Sequence, residues 1–369
     1  MSNFKSNFKS YDLTIIGAGI IGSLAAYEIT KLKPNWQVLL IDSSMIGHGA
    51  TQYSLGVQFP YGRTAAKKQL TEQSLKIWET LISKIPNLPI RSLPFIGITQ
   101  QSNLQLVLNG FVDPIPQTLK TSELARFKKT YPWIVLNPDQ ALIGGTQGSY
   151  ANALGVTSLI CEVLRTEQNS DIYEGIKIQK IKKQDDNLYG LLTSTQELIS
   201  SKRILIATGP WLVAGLVTGL DSMKPIIKEK NIRTKKIVSL HINRIPNETD
   251  PIIFFFDEQA FLLPDINTKQ WLFSFTAEEW DCEPNVQKLV ITKEDQILAF
   301  SILEKYCPTL IEHCRGGRVF CDAYDSNLTP LIFEMSDMPN IIVAGAGAGS
   351  GFRLGPAIAK TAISKVIEL

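Results

Sequence analysis

The chain has 369 residues, enough for about two hydrophobic cores. Its 44% hydrophobic and 20% charged residues are globular proportions and exclude a disordered or fibrous class. Lys plus Arg number 37 against 35 acidic residues, which argues against nucleic acid or an acidic membrane face as a partner, and five cysteines without a C-x-x-C spacing favour neither a disulfide framework nor a zinc knuckle.

Residues 1–10 repeat Ser-Asn-Phe-Lys twice and are expected to be a frayed tail. The apolar stretch that follows is broken by glycines and has no convincing cleavage site, so it reads as folded chain rather than a signal peptide. No apolar run approaches the ~20 residues that span a bilayer. The expected location is the cytoplasm.

Residues 12–16 read as a buried parallel strand, 20–31 as a helix and 37–41 as a second strand, a βαβ unit. Between the first strand and the helix lies Gly17-Ala18-Gly19-Ile20-Ile21-Gly22. Gly17 permits the tight turn, Gly19 lets backbone N–H groups approach a pyrophosphate, and Gly22 lets helix and strand pack closely. Asp42, at the end of the second strand, is placed to accept a ribose hydroxyl, with Ser43 next to it. An acid there repels a 2′-phosphate and so argues against NADP, without separating NAD from FAD.

A loop of small residues (43–56) precedes an expected helix at 64–84. Residues 86–148 are richer in proline and weaker in periodicity, which suggests a second domain. A helix is expected at 155–165, strands at 176–178 and 188–193 around a turn at 185–187, and a buried strand at 203–209. From 224 to 280 the pattern is β-like and aromatic, with strands at 237–241, 252–256, 260–263 and 270–275 that suit an antiparallel sheet. A helix at 294–306 precedes a closing apolar strand that breaks into Gly345-Ala-Gly347-Ala-Gly349-Ser350-Gly351 and a last helix. A NAD domain has no use for this second glycine segment, nor for Ala207-Thr208-Gly209-Pro210-Trp211. A long ligand gripped from both ends of the chain favours FAD.

Along nearly its whole length the chain resembles the D-amino-acid oxidase/sarcosine oxidase superfamily of FAD-dependent amine oxidoreductases. The resemblance rests on the first glycine fingerprint, Gly49-Ala50-Thr51-Gln52-Tyr53-Ser54-Leu55-Gly56 and Ala207–Trp211. It rests further on Phe261-Leu-Leu-Pro264, Trp271–Thr276 and the closing Gly349-Ser350-Gly351-Phe352-Arg353-Leu354. It implies an α/β fold: a glutathione-reductase-type, Rossmann-like FAD domain (1–85, 150–216 and 325–369) with a mixed or antiparallel-sheet substrate domain (86–149 and 217–324). It also implies hydride transfer from an amine or amino-acid C–H to flavin N5. Candidate cofactor contacts are Gly17 to Gly22, Asp42, Ser43, Gly49, Ala50, Thr51, Ile178, Thr208, Gly209, Trp211 and Gly349 to Leu354.

In sarcosine-oxidase-like members a basic residue at the position of Arg353 binds the substrate carboxylate, and a guanidinium does so through two parallel bonds. Tyr53, Gln58 and Tyr61, with Arg63, are the other candidates for the substrate side; helix-entry packing is their alternative. Glycine-oxidase-like members carry an arginine where this chain has Gly349. Covalent members attach the flavin through a cysteine near Cys321, but the spelling around Cys321 departs from theirs and the register is off by one. Non-covalent FAD is therefore expected, with a Cys321 link the less favoured alternative. A histidine tether in another branch falls on Tyr53 here, which closes that route. The lysine that sarcosine oxidases place over the flavin matches Leu272, with Lys269 nearby, so the electron acceptor is a carrier protein or quinone as readily as O2.

His48 lies in the cofactor loop, whereas His241 and His313 read as strand or surface residues, a scatter that argues against a metal site. Phe254-Phe255-Phe256 reads as sheet core. The rival classes are a FAD monooxygenase, a subunit that uses FAD structurally, and a NAD-dependent dehydrogenase. The sequence does not spell out the amine.

Overall fold

The computed structural model describes residues 9–185, 188–213, 220, 223–285 and 288–369. The Ser-Asn-Phe-Lys repeat, the tip of the turn at 186–187 and the expected domain boundary at 216/217 lie outside them.

One six-stranded sheet has the order Leu331–Glu334, Ile341–Gly345, Ile204–Ile206, Leu13–Ile16, Val38–Ile41, Ser170–Tyr173. All its pairs are parallel except the first. Its inner strands are short, wholly buried runs made mostly of Ile, Leu and Val, as expected of a sheet covered on both faces. On one face pack the helices Ile20–Leu32, Ala65–Lys84, Ala153–Thr166 and the closing Gly351–Glu368. The other face is covered by a four-stranded sheet of Ser10–Tyr11, Leu198–Ser201, Leu188–Thr193 and Ile178–Asp185.

Local chemistry sets several of these boundaries. Thr64 caps the helix Ala65–Lys84 by accepting from the Lys67 N–H. Asn152 does the same for Ala153–Thr166 through the Gly155 N–H. The strand expected from 176 begins at Ile178, because the Ile176 N–H is spent on the Asp42 carbonyl at 2.9 Å.

An eight-stranded sheet has the order Cys314–Tyr324, Arg233–Ile242, Gln270–Trp280, Ala260–Asp265, Ile252–Phe255, Ile90–Gln100, Gln140–Ala151, Gln117–Thr118. It is antiparallel except where Ile252–Phe255 runs parallel to Ile90–Gln100. The weakly periodic stretch after residue 86 thus supplies two of its long strands. Pro94 and a bulge between Phe95 and Gly97 hide the alternation there. The helix Lys293–Tyr306 covers one face of this sheet, with Phe255 stacked on Tyr306 at 4.3 Å between centroids. The opposite face is an aromatic layer of Phe59, Phe95, Phe111 and Phe256. The triple phenylalanine therefore belongs to sheet core on both faces.

Among the described residues no helix is long and apolar enough to cross a membrane.

Candidate cofactor and substrate site

The two glycine-rich segments meet on one cavity of about 1110 Å³. They meet because the strand Ile204–Ile206 pairs with Leu13–Ile16 on one side and Ile341–Gly345 on the other. All three strands run parallel, so the loops after them open at the same edge of the sheet, where α/β proteins bind ligands.

At the opening end, Gly17 has φ +108°, and a Cβ on it would sit 2.4 Å from the Ala207 carbonyl oxygen. A Cβ on Gly22 would lie 1.8 Å from the Gly17 oxygen, so helix and turn touch backbone to backbone. Gly19, Ile20 and Ile21 line the cavity at the helix N-terminus, where the partial positive charge favours phosphate. The Ile20 N–H donates to Thr51 Oγ1 at 3.1 Å, tying the fingerprint to the small-residue loop. Ala18 and Gly22 form the wall behind and do not line the cavity.

Asp42 also lines it. Its two carboxylate oxygens accept the Ala18 N–H at 2.7 Å and the Ser44 N–H at 2.8 Å. Burial is the leading influence on this carboxyl and raises its pKa, while the two backbone N–H groups pull the other way. Each oxygen keeps a lone pair for a ribose hydroxyl. Ser43, His48, Gly49, Ala50 and Thr51 continue the wall on this side, and Ile178, Thr208, Gly209 and Trp211 face it from the other strands. The His48 ring nitrogen Nδ1 lies 3.0 Å from the Ile46 carbonyl.

At the closing end Gly349, Gly351 and Phe352 line the cavity, and a Cβ on Gly351 would meet nothing within 4 Å. At Gly351 the wall is backbone with open space in front of it, as a flat ring requires. The donor groups, the glycine cradle and the volume of the cavity fit a dinucleotide with a ring system at its far end, such as FAD.

Tyr53 lines the cavity and stacks on Phe320, centroids 6.2 Å apart. Arg353, Gln58 and Tyr61 do not line it. Gln58 is buried and its main chain bridges to Ser149. Among the described residues its side-chain nitrogen has no hydrogen-bond partner. Tyr61 packs in the aromatic layer against Phe111 and Phe256. Arg353, the third residue of the closing helix, donates to the Tyr61 carbonyl and to Ser350 Oγ. Its guanidinium also lies over the Phe59 ring, 5.1 Å from the centroid. It sits deep in the protein yet keeps part of its surface within reach of water, and burial draws its pKa down to about 10. Among the described residues no carboxylate pairs with it. Leu354 points into the core.

Two features of this region escape a reading of the sequence. Lys67 is nine-tenths buried on the inner face of the helix Ala65–Lys84, and no hydrogen bond or ion pair to its amine is found among the described residues. Burial, helped by the nearby Arg353, brings its pKa down to about 8. The second feature is Asp322. The strand Cys314–Tyr324 turns Phe320 and Asp322 toward the cavity, and its pleat turns Cys321 the other way. Cys321 is 3% exposed, is absent from the cavity wall, and its thiol meets that of Cys282. The alternation Phe320-Cys321-Asp322 was the available signal. Leu272 is buried in the aromatic layer, and Lys269 sits exposed in a turn with φ +55°. Among the described residues no cluster of His, Cys, Asp and Glu has metal-binding geometry.

Comparison with known proteins accords with this geometry. Among solved structures, L-proline dehydrogenase from P. horikoshii superposes with a TM-score of 0.79 at 16% identity, over 98% of this chain and 94% of that one. Glycine oxidase from Geobacillus kaustophilus gives 0.76 at 15%, over 98% and 95%. Iminodiacetate oxidase from Chelativorans sp. BNC1 gives 0.74 at 16%, over 96% and 95%. At these identities the likeness is one of fold. No curated protein sequence matches the chain. The family model of FAD dependent oxidoreductases, DAO, matches residues 12–364, and on that match the chain belongs to this family of enzymes.

Proposed function

We propose that the protein oxidises the C–N bond of an amino acid or secondary amine that carries a carboxylate. The observation that carries this reading is the meeting of both glycine segments on one cavity, with Arg353 beside it lacking any carboxylate partner among the described residues. Bound FAD supplies the hydride acceptor, N5 of its ring. The residues of the first fingerprint and Asp42 hold its adenosine half. The loop from Gly349 and the N-terminus of the closing helix hold the ring end and favour negative charge there. Arg353 clamps the substrate carboxylate, and the Tyr61 carbonyl and Ser350 hydroxyl orient its fork. Tyr53, stacked on Phe320, packs against the substrate.

We further infer a cofactor domain of residues 1–85, 150–216 and 325–369, and a substrate domain of the remainder. FAD is held without a covalent bond, because Cys321 faces away from the cavity. Five unpaired cysteines support a reducing compartment, the cytoplasm. A carrier as electron acceptor is favoured over O2 by the buried Leu272 at the position of the sarcosine-oxidase lysine.

The test is a flavin spectrum of the purified protein followed by anaerobic mixing with amino acids and N-methyl amines. Bleaching by a carboxylate-bearing amine is the expected result. A colourless protein, or flavin that no amine reduces, would overturn the reading.

A further inference from the structure

Three carboxylates line the cavity among the described residues: Asp42, Glu283 and Asp322. Asp42 stands at the adenosine end, tied to Ala18 and Ser44. Glu283 is exposed and pairs with Lys288 at 2.8 Å. Asp322 alone stands at the end where Gly349, Gly351 and Tyr53 converge. Its oxygens accept the Gly349 N–H at 2.9 Å and the Ala323 N–H at 2.8 Å, which fix the carboxyl against the closing loop. The neighbouring Ala348 N–H donates to the Ala323 carbonyl at 3.1 Å, so strand and loop are joined at two points. Asp322 lies deep, yet part of its surface stays open to water.

An amine that gives up a hydride from Cα must do so as the free base, because a protonated nitrogen has no lone pair to push. At neutral pH most amines are protonated, so a group at the ring end that takes that proton lets the predominant form of the substrate react. We propose that Asp322 is this group: its carboxylate receives the substrate's ammonium and accepts one proton from it. The N–H bond breaks, an O–H bond forms on Asp322, and the nitrogen keeps the electron pair. The accessible edge of the carboxyl then passes the proton to water. Arg353 and Asp322 thereby divide the zwitterion between them, one taking the carboxylate and the other the amine. This assignment rests on the amine-oxidation reading above.

The charged and titratable groups around Asp322 are Lys67 from the helix Ala65–Lys84, and Tyr324 and Cys321 from its own strand. Burial is the largest influence on Asp322 and raises its pKa. The two backbone N–H groups and Lys67 oppose it. The carboxyl is neutral below that pKa, and proton acceptance is lost there.

The experiment uses the FAD-loaded protein and Asp322→Asn, with flavin content measured on both. Two unreactive probes of one shape are titrated by their perturbation of the flavin spectrum. These are trimethylglycine, whose nitrogen is cationic and has no proton to give, and its isostere the tert-butylacetate anion, in which an uncharged quaternary carbon replaces that nitrogen. The wild type is expected to prefer trimethylglycine by about tenfold, as one charge-assisted contact implies. In Asp322→Asn the two should bind alike. In addition, the acid limb of kcat/KM should follow the amine's own pKa in the variant but not in the wild type. A wild type without preference, or a variant that keeps the preference or the wild-type acid limb, overturns the assignment. Flavin that no amine bleaches defeats the amine-oxidation reading itself; bleaching with an unchanged variant removes Asp322 alone.

Discussion

Arg353 and Lys67 both lie deep in the protein, and neither has a carboxylate partner among the described residues. For Arg353 a partner in the substrate is the economical explanation. Arg353→Met should lower kcat/KM for carboxylate-bearing amines by about tenfold to a hundredfold, the range for a lost bond to a charged group. Amines without a carboxylate should lose little, and flavin content should persist. An unchanged KM for the carboxylate substrates would remove the clamp. Lys67 gives a test through stability. Its folded pKa of about 8 lies below the unfolded lysine value, so folding favours the neutral amine. The penalty is complete below about pH 8 and fades as pH rises toward the unfolded pKa of about 10.4. Lys67→Met should therefore stabilise the protein at pH 7, by on the order of 2 kcal/mol, and the gain should shrink near pH 10. Equal gains in Tm at the two pH values would contradict this account.

The strand-glycine-helix unit at the start of the chain is legible because its requirements are local. A buried apolar run makes the strand, Gly17 supplies a left-handed φ, and Gly22 allows contact that any side chain would block. Gly22→Ala must push its Cβ against the Gly17 oxygen. It should cost about 1–3 kcal/mol and reduce the flavin-to-protein ratio; a variant with full flavin content and wild-type Tm would refute the contact. The strand Cys314–Tyr324 is a harder element to read. A shift of one residue exchanges its faces, so a residue reading that selects Cys321 misses Asp322 and Phe320 beside it. The long strands after residue 86 are hidden in the same way, by Pro94 and a bulge that break the alternation.

Across the molecule, the cofactor adds contacts between segments already joined by sheet pairing and by the packing of the helices Ile20–Leu32, Ala65–Lys84 and Gly351–Glu368. Removing the flavin should lower Tm, and FAD at a hundred times its Kd should restore about 2.7 kcal/mol. A Tm indifferent to FAD would mean that the cavity does not bind it in the folded state. The sequence alone determined the chemistry available at each end of the chain: two glycine turns, an acid after the second strand, a basic residue opening the last helix. Those features depend on φ angles and periodicity within a few residues. Tertiary structure decided which of them meet. The strand Ile204–Ile206 had to insert between Leu13–Ile16 and Ile341–Gly345 before the two ends faced one cavity. The turning of Arg353 to the Tyr61 carbonyl and the approach of Asp322 to the Gly349 N–H were decided there as well. Strand order and register arise from burial summed over whole faces, and no single window of sequence contains that sum.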